Sequence, residues 1–149
     1  MDRKLINFGA MIVVSLILYF MSKAMMGETK TPCAVSLKNA FQALSMYAVE
    51  NDERFPDAEH WMDRITFQQG TMLSGCDAVP EGVGLAFNSR FSAAVIPQPS
   101  DEEHLLVFDS TKLGANEHDR LESLPNPGRH GGKNHGVTSA GNLRLEIRP

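Results

Sequence analysis

The chain has 149 residues and a net charge of −4, and 42% of its residues are hydrophobic. This length accommodates one globular domain and an appendage. The first 27 residues hold three of the 14 basic and one of the 18 acidic residues, so the remainder carries 11 basic against 17 acidic side chains. Because these charges are scattered, with no basic stripe, nucleic acid is excluded as an expected partner.

The N-terminal segment is uncharged from Leu5 to Met21. A helix of these 17 residues approaches the thickness of a bilayer's hydrocarbon core, about 30 Å, and Lys23 can extend to the interface. A cleaved secretory signal is the alternative, although no convincing cleavage site with small residues follows the segment. We predict a transmembrane anchor with a short cytoplasmic tail over residues 1–26, a linker over 27–31 and an extracytoplasmic α+β domain over 32–149.

The only two cysteines, Cys33 and Cys76, both follow the apolar segment and form no CxxC pair. The basic residues that flank the segment are nearly balanced, so the orientation in the membrane has to be inferred from these cysteines. One disulfide is typical of an exported domain, and two buried free thiols in a cytosolic domain are the alternative. We favour the disulfide and, with it, a single-pass membrane protein whose C-terminal domain lies outside the cytoplasm.

A long helix is predicted from Pro32 to Asn51. Thr31 and Pro32 have the residue types of an N-cap and a first helical position, and Pro56 prevents continuation of the helix. Apolar residues recur at helical spacing and form one stripe: Leu37, Ala40, Phe41, Leu44, Tyr47 and Ala48. We expect this stripe to be buried in the core.

A second, shorter helix is predicted after Asp57, which can serve as its N-cap. It carries Trp61 and Ile65 as apolar residues and ends at Gln69-Gly70.

The second half of the chain has short apolar runs separated by glycine and proline, which is typical of strands. The predicted strands are Val83–Phe87, Phe91–Ile96, Leu105–Phe108 and Asn142–Ile147. Residues 110–129 form a long irregular insertion. Together these elements predict an α+β fold, in which the long helix packs its stripe on a small antiparallel sheet of about four strands.

Two histidines and several glycines lie close together in the C-terminal stretch RHGGKNHG. His130 and His135 are five residues apart, which fits neither a zincin helix nor a zinc finger, and the stretch lacks the frame of a phosphate loop. Asp109, His118 or Asp119 would join these histidines at a metal only if the fold brought them together. Asp109, His130 and His135 are therefore kept as weak metal-ligand candidates.

Other chemistry has little support in the sequence. The insertion from Asp109 to Glu122 could supply oxygen ligands to calcium, although it has no EF-hand frame. The acidic clusters at residues 50–53 and 101–103 are more typical of solvated turns than of acid–base catalysis. Ser110 follows Asp109 but has no GxSxG frame. We therefore predict a protein that is not an enzyme, with no cofactor and no small-molecule substrate evident.

Residues 33–65, CAVSLKNAFQALSMYAVENDERFPDAEHWMDRI, resemble pilin-like and pseudopilin-like proteins of the type II secretion and type IV pilus superfamily. The matching residues stand in the family's order: Cys33, Leu37, Lys38, Ala43, Tyr47, Asn51, Asp52, Arg54, Phe55, Pro56 and Trp61. Cys76 is similar to the next cysteine of the family, and Phe87-Asn88 and Phe108-Asp109 are similar to residues of its strands.

The C-terminal stretch resembles this group's signature Arg-His-x-Gly-Gly-x-Asn, which leads to an Asp-Gly pair in a hairpin. The corresponding residues are Arg129, His130, Gly131, Gly132, Asn134, Ala140 and Gly141. Nine residues separate His130 from Ala140-Gly141, as in the family, but alanine replaces the aspartate. The N-terminal segment has neither the family's Gly-Phe cleavage junction nor its glutamate, so we expect it to serve as a membrane anchor.

The resemblance implies a pilin-like fold and a non-enzymatic, structural role in a type II secretion or pilus-like system of the cytoplasmic (inner) membrane. The implied partners are the membrane and other pilin-like or secretion-system subunits, or a second copy of the chain. Under this interpretation, residues 136–147 form a terminal hairpin with Ala140-Gly141 at or near its turn. Two alternatives stay open: a metal-dependent envelope enzyme that uses His130 and His135, and a secreted binding protein with a cleaved signal.

Overall fold

The computed structural model describes residues 32–69, 73, 75–98 and 101–148. The predicted anchor over 1–26 and the predicted linker over 27–31 lie outside these residues, as does the predicted N-cap Thr31. Within the described ranges, no helix has the length and apolar character needed to cross a membrane.

The first helix, α1 (Cys33–Glu50), follows Pro32 and buries one side along its whole length. The residues on the buried side are small or aliphatic: Leu37, Ala40, Ala43, Leu44 and Ala48. Of the predicted stripe, Phe41 and Tyr47 are half-buried and pack at the margin of the core. The helix ends at Glu50, with Asn51 as its C-cap, and Asp52 and Glu53 then adopt positive φ and reverse the chain.

The second helix, α2 (Trp61–Gln69), continues from a short 3₁₀ helix over Ala58–His60. The predicted capping role of Asp57 is confirmed, because its carboxylate accepts a hydrogen bond from the backbone N–H of His60 at 3.1 Å. Trp61 is fully buried and stacks on Phe87, with 5.7 Å between the ring centroids. This contact places α2 against the sheet.

Within the described residues, five strands form one mixed sheet: β1 (Leu85–Asn88), β2 (Leu105–Asp109), β3 (His118–Asp119), β4 (Asn134–Thr138) and β5 (Leu143–Ile147). The strand order is β3-β1-β2-β4-β5. All neighbouring pairs are antiparallel except β1 and β3. The predicted α+β class is confirmed, whereas the prediction of about four antiparallel strands missed the parallel pair. The extra strand β3 lies inside the insertion that we predicted to be irregular.

The predicted strand over Phe91–Ile96 is wrong. The amide side chain of Asn88 accepts a hydrogen bond from the backbone N–H of Arg90 at 3.1 Å, and this contact starts a 3₁₀ helix over Ser89–Phe91. A positive φ of 51° at Ala93 then turns the chain again. Only an isolated bridge, between Arg54 and Val95, remains of the expected pairing in the described residues.

The last two strands form a terminal hairpin whose turn contains Ala140 and Gly141. The backbone N–H of Gly141 donates to the carbonyl of Thr138 at 3.0 Å. Ala140 is exposed, whereas Gly141 has a φ of +85° and lies against the ring of Phe41 on α1. The turn therefore meets α1 at a position where a side chain does not fit.

We expect Gly141→Ala to destabilise the protein more than Gly132→Ala. Both glycines have a φ near +85°, so alanine costs about 1–2 kcal/mol at either site. A Cβ at Gly141 would also lie 2.6 Å from the Phe41 ring, while nothing lies within 4 Å at Gly132. Crowding of this kind adds about 1–3 kcal/mol, measurable by urea denaturation of the full-length protein.

Adding Phe41→Leu to each glycine variant provides the control for this comparison. The smaller side chain should recover part of the loss caused by Gly141→Ala and none of the loss caused by Gly132→Ala. Equal unfolding free energies for the two single glycine variants would contradict the packing of the turn on α1.

Candidate functional site

Five side chains from separate parts of the chain meet beside the end of β2. Cys33 is the first residue of α1, Cys76 lies in the loop after α2, and Asp109 is the last residue of β2. His130 lies in the loop before β4, and His135 lies within β4. We call these five residues the Asp109 cluster. It contains all three weak metal-ligand candidates of the sequence and both cysteines.

The carboxylate of Asp109 is fully buried, with 0% of its side chain exposed. One of its oxygens, Oδ2, accepts a hydrogen bond from the backbone N–H of His135 at 2.6 Å. The same oxygen lies 3.2 Å from Nε2 of His130. Burial raises the pKa of Asp109 above its usual value, and the hydrogen bond from His135 opposes this rise. Ionisation of this carboxylate therefore costs free energy unless a cation lies close to it.

The two histidine rings stack face to face, with centroids 3.7 Å apart and an angle of 5° between their planes. Gly131 and Gly132 make this possible, because their φ values of 66° and 84° reverse the chain between the histidines. The backbone N–H of His130 donates to the carbonyl of Lys133 at 2.9 Å and closes this turn. Burial, and then the neighbouring His130, lower the pKa of His135.

Two further residues of the RHGGKN stretch hold this loop in place. The guanidinium of Arg129 donates to the carbonyls of Gly84, at 2.8 Å, and Ser110. Asn134 is fully buried, and its side-chain N–H donates to the carbonyl of Pro125 at 2.9 Å. Arg129 and Asn134 therefore connect the histidine loop to the starts and ends of three strands, which is a structural role.

The cluster contains the disulfide between Cys33 and Cys76. Both residues are buried, and they are 43 positions apart in the sequence. Closing a loop of this length stabilises a fold by about 4 kcal/mol in the chain-entropy model. The backbone N–H of Cys76 also donates to the carbonyl of Val83 at 3.1 Å, which connects the bridge to the segment leading into β1.

Several buried polar atoms of the cluster have no hydrogen-bond partner among the described residues. They are Oδ1 of Asp109, Nε2 of His130 and Nδ1 of His135. Such atoms cost free energy in a folded protein, and a group of them marks a place where a ligand could bind or a reactive side chain could act. Chemically, a carboxylate and an imidazole beside two sulfurs can bind a divalent cation or exchange a proton.

The other residues proposed from the sequence lie elsewhere. His118 is on β3, where Nδ1 lies 3.0 Å from the carbonyl of Asn116. The carboxylate of Asp119 pairs with the ammonium group of Lys112 at 3.2 Å, and Glu117 lies 3.9 Å from the same group. A calcium ion in this insertion would therefore compete with Lys112, and calcium stays a prediction.

Glu103 is a structurally important residue that the sequence did not reveal. We expected residues 101–103 to form a solvated turn, but Glu103 fastens the terminal hairpin. Its carboxylate accepts hydrogen bonds from Thr138, at 2.6 Å, from Arg144, at 2.6 Å, and from Asn142. These three bonds lower its pKa from 4.5 to about 2. No local pattern marks it, because its partners are 35–41 residues away.

Comparisons of the chain with protein-family models, with curated proteins and with solved structures give no match. The resemblance to pilin-like proteins thus depends on the residues quoted from the sequence. Membership of this family stays a prediction, and any proposal on function has to be argued from the fold and from the geometry of the Asp109 cluster.

We expect Glu103→Gln to reduce the acid sensitivity of the protein. A carboxylate whose pKa is lowered by folding stabilises the fold above its unfolded pKa. That stabilisation disappears as the pH falls from about 4.5 to about 2. Urea midpoints of the wild type should therefore fall more steeply than those of Glu103→Gln between pH 6 and pH 2.5.

Glu102→Gln is the matched control, because Glu102 is 85% exposed and contacts His104 only at 3.6 Å. This variant should follow the wild-type pH dependence. If Glu103→Gln and the wild type gave parallel pH profiles, the three hydrogen bonds would not bind the ionised carboxylate preferentially.

Proposed function

We propose that this protein is a membrane-anchored, pseudopilin-like assembly protein without enzymatic activity. Its α+β domain lies outside the cytoplasm of a single-pass protein of the cytoplasmic membrane. The partner is another pilin-like or secretion-system subunit, or a second copy of the chain. The outward face of α1 carries this proposal, because it presents exposed apolar side chains on the helix that follows the predicted anchor and linker.

The outward face of α1 is defined by three exposed apolar residues, Val35, Met46 and Val49. Their exposed fractions are 43%, 53% and 78%. At 100° per residue they fall within about 60° of one another around the helix axis. The opposite side of α1 is buried against the sheet. A helix with apolar residues on both sides is suited to pack on the domain and on a partner helix at the same time.

The edges of the sheet are less suitable for assembly. β3 is only two residues long, so it offers little backbone for pairing. β5 carries the exposed charged residues Arg144 and Glu146, and the exposed Arg148 follows it directly. Charges along an edge oppose pairing with another strand. The outward face of α1 is therefore the better surface for a partner.

The disulfide supports the proposed location, because such bridges persist in oxidising compartments and are rare in the cytosol. Cys33 lies seven residues beyond the predicted anchor, whose last residue is Met26. A bridge formed at Cys33 fixes the start of α1 to the domain close to the membrane surface. In an assembly, the orientation of α1 relative to the anchor decides which face reaches a partner.

A metal-dependent envelope enzyme is the second candidate, and one observation favours it. The fold brings Asp109, His130 and His135 together, although they are distant or irregularly spaced in the sequence. The enzyme would need a cation held by these three residues while the disulfide is intact, with a coordination position open to a substrate.

The assembly proposal is tested with a photocrosslinking amino acid at Met46, in the full-length protein in its native membrane. We expect crosslinks to a subunit that is also membrane-anchored, or a ladder of self-products. The same amino acid at Ala115, an exposed turn residue outside α1, is the matched control and should give none. A ladder would favour self-assembly, and one distinct product would favour an accessory role.

Met46→Glu combined with Val49→Glu should remove at least nine tenths of the product captured from a probe at Val35, because charges on this face oppose apolar packing. Undiminished crosslinking in this variant, or equal crosslinking from Met46 and Ala115, would overturn the proposed surface.

The proposed location predicts that the protein isolated from membranes without reductant contains the Cys33–Cys76 bridge. Free thiols are blocked during lysis, and the digested protein is examined by mass spectrometry for the linked peptide pair. Recovery of both cysteines in the blocked form would place the domain in a reducing compartment.

A further inference from the structure

The disulfide lies inside a set of potential metal ligands. One ligand atom from each of Cys33, Cys76, Asp109 and His130 can be chosen so that all four lie within 4.8 Å of one another. A tetrahedral zinc ion, with bonds of about 2.0–2.3 Å, separates its ligand atoms by about 3.3–3.8 Å. Two thiolates, one imidazole and one carboxylate form a donor set that such an ion accepts.

A second observation also indicates a ligand at this place. Oδ1 of Asp109 and Nε2 of His130 are buried and have no hydrogen-bond partner in the described part of the chain. The side chain of Asp109 is entirely buried, and that of His130 is 19% exposed. Nε2 of His130 lies 3.2 Å from the other oxygen of Asp109, Oδ2, but this contact is not a hydrogen bond. Nε2 of His130 and Oδ1 of Asp109 therefore both stay without a partner among the described residues. A cation between them would satisfy both.

We propose that the Cys33–Cys76 disulfide and a Cys33–Cys76–Asp109–His130 zinc site are two alternative states of the same cluster, exchanged by reduction. In the oxidised state the sulfurs are bonded to each other and carry no charge. In the reduced state both thiols become ligands. This switch is inferred from the Asp109 cluster and not from the proposed assembly role, and it involves no catalysis.

The exchange balances with a dithiol as the reductant. The dithiol transfers two electrons, the S–S bond breaks, and two protein thiols form while the reductant becomes a disulfide. Zinc then binds both sulfurs as thiolates, and two protons are released to solvent. In the reverse direction, the disulfide form of the same reagent accepts two electrons and two protons and becomes a dithiol again, while the protein bridge reforms and the zinc ion is released.

The surrounding contacts keep the ligands in place in both states. The backbone N–H of His135 holds Oδ2 of Asp109 at 2.6 Å, and the ring of His135 supports the ring of His130. The carboxylate of Asp77, whose Oδ1 lies 3.2 Å from the sulfur of Cys33, can accept a hydrogen bond from the reduced thiol before metal arrives. His135 is thus a positioning residue and not a ligand.

Zinc would replace the covalent bridge between Cys33 and Cys76 and would add Asp109 and His130 to the link. Its four ligands come from the start of α1, the loop after α2, the end of β2 and the histidine loop. A structural zinc ion contributes directly to folding stability. The domain would then stay closed under conditions that open its disulfide.

The test uses the full-length protein in detergent, reduced with dithiothreitol, desalted without oxygen and titrated with Co²⁺ as a probe for the zinc site. We expect one Co²⁺ per chain, with sulfur-to-metal charge transfer and intense tetrahedral d–d bands, displaced by one equivalent of Zn²⁺. The oxidised protein should bind at least 100-fold more weakly and show neither signal. Equal binding in both states, no binding in the reduced state, or binding without the sulfur signal would each overturn the proposal.

Three histidine variants separate the ligand from its neighbours. His130→Ala should weaken Co²⁺ binding by the reduced protein at least tenfold. His60→Ala, at an exposed residue near Asp57, is the matched control and should bind as the wild type does. His135→Ala should weaken binding less than His130→Ala does and should keep the sulfur-to-metal charge transfer of the reduced protein, as expected for a residue that positions a ligand. An enzyme site built from Asp109, His130 and His135 would instead lose its metal in the oxidised protein.

A measurement on the wild-type protein tests the proposal even if a histidine variant does not fold. Equimolar Zn²⁺ should raise the Tm of the reduced wild-type protein by several degrees and leave the Tm of the oxidised protein unchanged. Zinc that stabilises both states equally, or neither state, would contradict an exchange between the bridge and the metal.

Discussion

The packing of α1 across the sheet is the interaction on which the other features of the domain depend. Its inner side consists of Leu37, Leu44 and small alanines, so the helix backbone approaches the strands closely. This approach brings Phe41 against the turn at Gly141 and brings Cys33 beside Asp109. The same packing leaves Val35, Met46 and Val49 facing outward. The proposed partner surface and the cluster are therefore consequences of one helix position.

The backbone around the Asp109 cluster is held firmly, but several of the polar atoms in the cluster have no hydrogen-bond partner among the described residues. The disulfide, the guanidinium of Arg129 and the buried amide of Asn134 fix the backbone around it. Asp109 nevertheless has one oxygen without a partner among the described residues. A fold stabilised by about 4 kcal/mol through its bridge can tolerate a buried carboxylate whose pKa is raised. The rigid surroundings are also what a metal site requires.

The elements with a strong local pattern could be predicted from the sequence. The stripe of α1 and the cap at Asp57 follow from helical spacing and capping chemistry. The hairpin around Gly141 was expected from the resemblance. The prediction of a strand over Phe91–Ile96 was wrong because the side chain of Asn88 accepts a hydrogen bond from the backbone of Arg90 and starts a 3₁₀ helix there. β3 was missed because two residues carry no periodicity and pair only through β1. The roles of Glu103 and of Asp109 depend on partners distant in sequence, which no local pattern reveals.

The two proposals meet at Cys33, because the bond that this residue makes decides how force from a membrane anchor would reach the sheet. If α1 continues toward a membrane anchor, as the sequence predicts, force on the domain enters at the start of α1. The bridge passes that force to Cys76, whose backbone is hydrogen-bonded to Val83 just before β1. A zinc ion would pass it also to Asp109 at the end of β2 and to the loop of His130. Both links connect the helix start to the sheet interior, so exchange between them preserves the orientation of the outward face of α1.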